Sequence, residues 1–187
     1  MGLLRRILGW EKKQDKPYVD AGMAVMHKLI TKFNLLDWKD LLPSYTDEEI
    51  EAINKRWSRF QRMANNVGGG DVKFHPEILP DLKRMLVGEA LAELAGDSWK
   101  FSDQLPTNWK ECISTYLKAW ASYLDPLSLL DLGELLTRAG YLIEAKEVFQ
   151  VVLLFPTYAN TYYAGQQKPE LVKSIVDSAK ESLKDLN

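Results

Sequence analysis

Cysteine is almost missing from this chain. Cys112 is the one thiol in 187 residues, so no intrachain disulfide can form. That usage suits a reducing compartment, and cytoplasmic residence is the expectation. Cys112 sits among apolar positions of a helical pattern and reads as a small buried hydrophobe. Histidine is equally scarce: His27 and His75 are too few for a His-rich metal site. There is no CxxC, HExxH or EF-hand loop, so neither metal nor cofactor is expected. The chain also lacks a dominant charge sign. A net charge of −2 makes the whole molecule a poor polyanion binder, and nucleic acid is not an expected partner. No run approaches the roughly 18–20 apolar residues of a membrane span. Arg5 and Arg6 interrupt the apolar stretch Met1–Trp10, so it lacks the core of a secretory signal. Position 6 is Arg rather than Ser or Thr, so Gly2 does not complete a myristoylation pattern.

What is present is helical period. The apolar fraction of 46% is enough for a core, and the apolar residues recur every three or four positions. Val19, Met23, Met26, Ile30 and Phe33 define a helix over about 19–34. Thr46 and Glu49 form a capping box that opens a second helix, with Ile50, Ile53, Trp57 and Phe60 on one stripe. Gly68-Gly69-Gly70 ends it. These glycines follow a helix and lack a P-loop lysine, so they are a loop and not a phosphate cradle. A third helix starts near Pro76 or Pro80 and buries Leu82, Met85, Leu86, Ala90, Leu91 and Leu94, with Gly96 as its C′ residue. Thr107 is the expected cap of a fourth, carrying Trp109, Ile113, Tyr116, Trp120 and Tyr123. Asp125-Pro126 restarts the chain as cap and first helical residue. Two helices follow, broken at Gly140-Tyr141. Pro169 opens the last, with Leu171, Ile175, Ala179, Leu183 and Leu186 inward and Lys173, Asp177, Lys180, Glu181 and Lys184 outward. The expected fold is all-α, with seven or eight helices packed as antiparallel hairpins. Residues 1–16 form a leader, 17–187 one helical domain, and 169–187 a capping helix.

Residues 126–159 carry a further pattern. Leu129, Leu132, Gly133 and Leu136, a turn at Gly140, then Ala145 and Phe149, together resemble one tetratricopeptide repeat of 34 residues. Val152 stands where that family places a small residue, and Pro156 comes one residue early. The small residues Gly133 and Ala145 let two antiparallel helices approach closely. The resemblance implies a scaffold that binds a protein or peptide on its first-helix face. In the family pattern Leu127, Leu130, Glu134, Thr137 and Arg138 occupy that face. The Lys and Asn residues with which some family members clamp a peptide carboxylate have no counterpart here.

Three other features bear on function. In the leader, Leu3, Leu4, Ile7, Leu8 and Trp10 fall on one side of a helix, and Arg5, Arg6, Lys12 and Lys13 on the other. That composition serves either internal docking or weak contact with an anionic membrane. Lys55, Arg56, Arg59 and Arg62 follow Asp47, Glu48, Glu49 and Glu51 along one helix, an order that complements the helix dipole. Trp109 and Trp120 sit at core spacing, although an aromatic-lined ligand pocket would use the same residues. Asp81, Asp97, His27 and His75 show no spacing that brings them together as a catalytic set. The expected function is therefore a non-enzymatic helical interaction module. The alternatives are a peripheral membrane protein held by its leader and a small-molecule binder.

Overall fold

In the computed structural model the described residues are 16–35, 45–68, 79–102, 104–155 and 169–186. They form seven helices: α1 (Lys16–Phe33), α2 (Asp47–Gly68), α3 (Leu79–Asp97), α4 (Trp109–Tyr123), α5 (Pro126–Arg138), α6 (Leu142–Val152) and α7 (Pro169–Asp185). No described residue lies in a strand, and the fold is all-α. The leader, His75 and the glycines at 69 and 70 lie outside the described residues.

Local chemistry sets most of the boundaries. At the start of α2 the Glu49 carboxylate accepts from the Thr46 amide at 3.0 Å, and the Thr46 hydroxyl accepts from the Glu49 amide at 3.2 Å. This is the reciprocal capping box read from the sequence. Asp125 caps α5 by accepting from the Leu127 amide, and Pro126 fills the first turn, where no partner for its nitrogen is needed. Gly140, with φ of +80°, ends α5. The Gly140 amide donates to Thr137 and the Tyr141 amide to Leu136, which satisfies the last carbonyls of the helix. Asn34 does the same for α1, with φ of 53° and the Leu35 amide donating to Ile30 at 2.9 Å.

Other boundaries differ from expectation. Gly96 lies inside α3 and adopts no positive φ; its carbonyl accepts from the Trp99 and Lys100 amides as the chain turns. Asn108, not Thr107, precedes α4, and it caps without a side-chain bond. The left-handed residue after α4 is Leu124, held there because its side chain is buried and its amide donates to Trp120.

Helices α2 to α6 each pack on the next as antiparallel neighbours, with α3–α4 and α5–α6 the closest pairs. α7 covers α6 and α5, while α1 lies against α6 and α4. The core runs through Met26, Leu29, Ile113, Tyr116, Trp120, Leu132, Val148 and Phe149. Gly22 lets α1 approach α4: a Cβ there would stand 2.4 Å from the Trp120 ring. Trp120 Nε1 donates to Tyr18, whose hydroxyl donates to the Leu124 carbonyl, so the buried polar atoms of this crossing are satisfied. Ile50 and Leu171, expected inward, are exposed. Each sits at the first turn of its helix, at one end of the stripe that the neighbouring helix covers.

Candidate interaction surface

The α5 helix buries Leu129, Leu132, Leu135 and Leu136 and turns a stripe of Leu127, Asp131, Glu134 and Arg138 outward. These positions are spaced by four, three and four residues, one face of a helix. On the buried side Gly133 admits the Phe149 ring of α6, where a Cβ would stand 2.4 Å from Cε1. The close approach of α5 and α6 therefore rests on glycine against phenylalanine. Ala145 is fully buried in the same core.

The turn that leaves α3 lies against the outer stripe. Lys100 Nζ meets Asp131 Oδ2 at 2.6 Å. Arg138 donates through Nη1 to the Ser102 carbonyl at 2.9 Å and the Trp99 carbonyl at 3.4 Å. Its guanidinium also lies over the Trp99 ring, 4.8 Å from the centroid. Trp99 is buried, and its indole donates to the Tyr116 hydroxyl at 3.0 Å. These ties fix residues 99–102 and leave Phe101 90% exposed.

The expected partner face is thus altered. Leu127 is 41% exposed and Glu134 is exposed without a hydrogen bond or ion pair among the described residues. Leu130 is a correction: it is only 8% exposed and belongs to the core, because its place on the helix turns it toward the neighbouring elements. Thr137 is half-buried and returns its hydroxyl to the Gly133 carbonyl at 2.9 Å. Arg138 is on the surface but occupied by the 99–102 turn. Leu3, Leu4, Arg5, Arg6, Ile7, Leu8 and Trp10 lie outside the described residues. Lys100, Phe101 and Asp131 join the surface without having been singled out. No local sequence signal marks them, because the ties that make this surface join residues far apart in the chain.

The surface carries two carboxylates, Asp131 and Glu134, beside two cations, Lys100 and Arg138. Burial raises the Glu134 carboxyl and neighbouring Asp131 raises it further, against the pull of Lys100 and Arg138. Burial also raises Asp131, against the pull of Lys100. At the cap of α5, burial pushes Asp125 up to about 6, opposed by the Leu127 amide and reinforced by Asp131 and Glu89.

Elsewhere, ionisable groups hold helices together. Lys118 and Glu49 form a buried ion pair at 2.6 Å, and Thr115 donates to the second Glu49 oxygen at 3.0 Å. Arg56 of α2 reaches Glu89 and Glu93 of α3. Lys28 and Lys32 of α1 pair with Glu147 and Glu144 of α6. Cys112 is buried, and burial pushes its thiol up, away from the thiolate a nucleophile requires. Trp120 is in the core, and Trp109 packs against Phe33 and Tyr141. His27 and Asp97 are exposed on different helices. Among the described residues, no three His, Cys, Asp or Glu side chains are grouped to hold a metal ion. No described helix is long and apolar enough to cross a membrane. Comparison with protein-family models, curated proteins and solved structures found no match.

Proposed function

We propose that this chain is a non-enzymatic helical interaction module, acting in the cytoplasm, that holds a protein or peptide partner against the outer face of α5 and the 99–102 turn. The observation that carries this reading is Phe101, 90% exposed on a turn tied down by Arg138, Lys100 and Trp99. Burying such a ring under a partner is worth roughly 1.5–3 kcal/mol. A turn that is already fixed loses little further freedom on binding, so more of that gain is retained. Aromatic and arginine side chains are also the residues that most often dominate interfaces. In this reading α5 and α6 act as a single tetratricopeptide-like hairpin. The Gly133–Phe149 contact and the left-handed Gly140 turn support the likeness. The proposed binding face also takes in Lys100 and Phe101 from the preceding turn.

The test is affinity capture with the whole chain, compared with Phe101→Glu and Leu127→Glu. Both positions are exposed, so the thermal midpoint should stay within about 0.5 kcal/mol of wild type in stability. A partner retained by wild type and lost from both variants supports the reading. Identical captured proteins from all three oppose it.

A further inference from the structure

Helix α2 is held differently from the rest of the fold. The other six helices each place apolar side chains in the buried interior, whereas of the described side chains of α2 only Glu49 is buried. Its apolar stripe of Ile53, Trp57 and Phe60 is half-buried, and Ile50 and Met63 are exposed. None of these residues joins the main core. Charged groups make the firm ties instead. Both oxygens of the Glu49 carboxylate are used: Oε2 accepts from Lys118 Nζ at 2.6 Å and from the Thr46 amide at 3.0 Å, and Oε1 accepts from the Thr115 hydroxyl at 3.0 Å. Two turns further on, Arg56 donates through Nε and Nη2 to Glu89 and through Nη1 to Glu93. Lys83 Nζ lies 5.8 Å from the centre of the Trp57 ring.

These ties turn the side of α3 that carries Lys83, Glu89 and Glu93 toward α2. Leu86 and Ala90 fall on the same side by helical spacing, and they are buried yet lie outside the main core. The energetics follow from the kind of tie. A buried ion pair regains in attraction little more than the hydration its two ions give up, so it fixes position more than it adds stability. If α2 leaves as a unit, Glu49 and Lys118 both return to water and recover that hydration. Leaving one of the two buried without the other is far costlier, so partial release is disfavoured. A helix held by such ties and a half-buried stripe opens at a free energy below that of the whole fold.

We propose that α2 is a strap across α3 and α4 that opens as one unit while α4, α5 and α6 stay folded, with the Glu49–Lys118 pair as its latch. Opening bares the stripe of Ile53, Trp57 and Phe60 together with Leu86 and Ala90, an apolar surface that the closed strap hides. The proposal stands apart from the interaction reading at α5.

Hydrogen–deuterium exchange read by mass spectrometry on the full chain tests it. In wild type the amides of residues 50–64 should be protected at least about tenfold relative to an unstructured peptide, yet exchange at least about tenfold faster than those of α5 and α6. Lys118→Met leaves Glu49 without its cation, so exchange over 50–64 should rise by a further factor of about ten or more while α5 and α6 keep their wild-type rates. Adding Glu49→Gln removes the charge and keeps the capping box, and should slow that exchange again. If Lys118→Met fails to fold, Arg56→Ala is read by the same comparison. Exchange over 50–64 at the rate of α5 and α6 would overturn the proposal, since α2 would then open only with the whole fold. So would an α2 with no protection in wild type, a variant that speeds every helix alike, or one that leaves α2 unchanged.

Discussion

Gly133 shows how one missing side chain sets the spacing of two helices. The Phe149 ring occupies the space a Cβ would take, with Cε1 2.4 Å and Cδ1 2.8 Å from that position. Gly133→Ala should therefore destabilise by on the order of 1–3 kcal/mol, outweighing the roughly 1 kcal/mol that alanine gains in helix propensity. A urea denaturation midpoint at or above wild type would contradict the packing. Lys118 offers a different test. Removing its ammonium leaves the Glu49 carboxylate buried without its cation. Lys118→Met should cost about 3–5 kcal/mol, and adding Glu49→Gln should recover much of the loss. Asp125 makes a pH-dependent contribution. Its folded pKa, raised to about 6 by burial, means the fold favours the protonated form. The stabilisation is full below the ordinary carboxylate range and is lost as pH rises through about 6. Asparagine caps as well as aspartate and carries no charge. Thermal midpoints should thus favour Asp125→Asn increasingly between pH 5 and pH 7.5, by an amount of order 1 kcal/mol. A constant difference over that range would contradict it. Glu144 acts in the opposite direction and lower on the pH scale. Burial alone would raise it, but Lys32 and Lys28 hold it below the ordinary value. Its stabilisation is lost only as pH falls.

At the scale of elements, the boundaries legible in the sequence were those made by neighbours in the chain. The Thr46–Glu49 box, the Asp125-Pro126 start and the Gly140 stop each need only a few adjacent residues. Leu124 was not legible, because a leucine takes a left-handed conformation only when distant packing demands it. Leu130 and Leu171 show the same limit: helical period identifies a stripe, but the neighbour decides how far the stripe is covered. The terminal helix α7 behaves as its pattern implied in its centre. Ile175 and Ala179 are buried, while Lys173, Asp177, Lys180, Glu181 and Lys184 are exposed. Removing residues 169–187 should bare apolar surface on α6 and α5 and cause aggregation. Light scattering after size-exclusion chromatography checks this, and a monomeric, equally stable truncation would show that α7 is dispensable.

Across the whole molecule, the all-helical class was legible because apolar period and capping agree along the chain. The surface around α5 was legible only in part. Leu127 and Glu134 followed from helical spacing, whereas the 99–102 turn reads as a plain loop. Its ties join residues 36 and 39 positions apart, Arg138 to Ser102 and to Trp99, and no local pattern encodes them. The surface they create places an exposed phenylalanine on a fixed turn beside the outer stripe of α5, which is the basis for assigning interaction there. Site-specific photo-crosslinking in cells tests that assignment most directly, with a benzophenone side chain replacing Glu134 in one experiment and Lys180, on the polar side of α7, in another. The account predicts a defined adduct to another protein from position 134 and none from position 180. No adduct from position 134, or the same adducts from both positions, would contradict it.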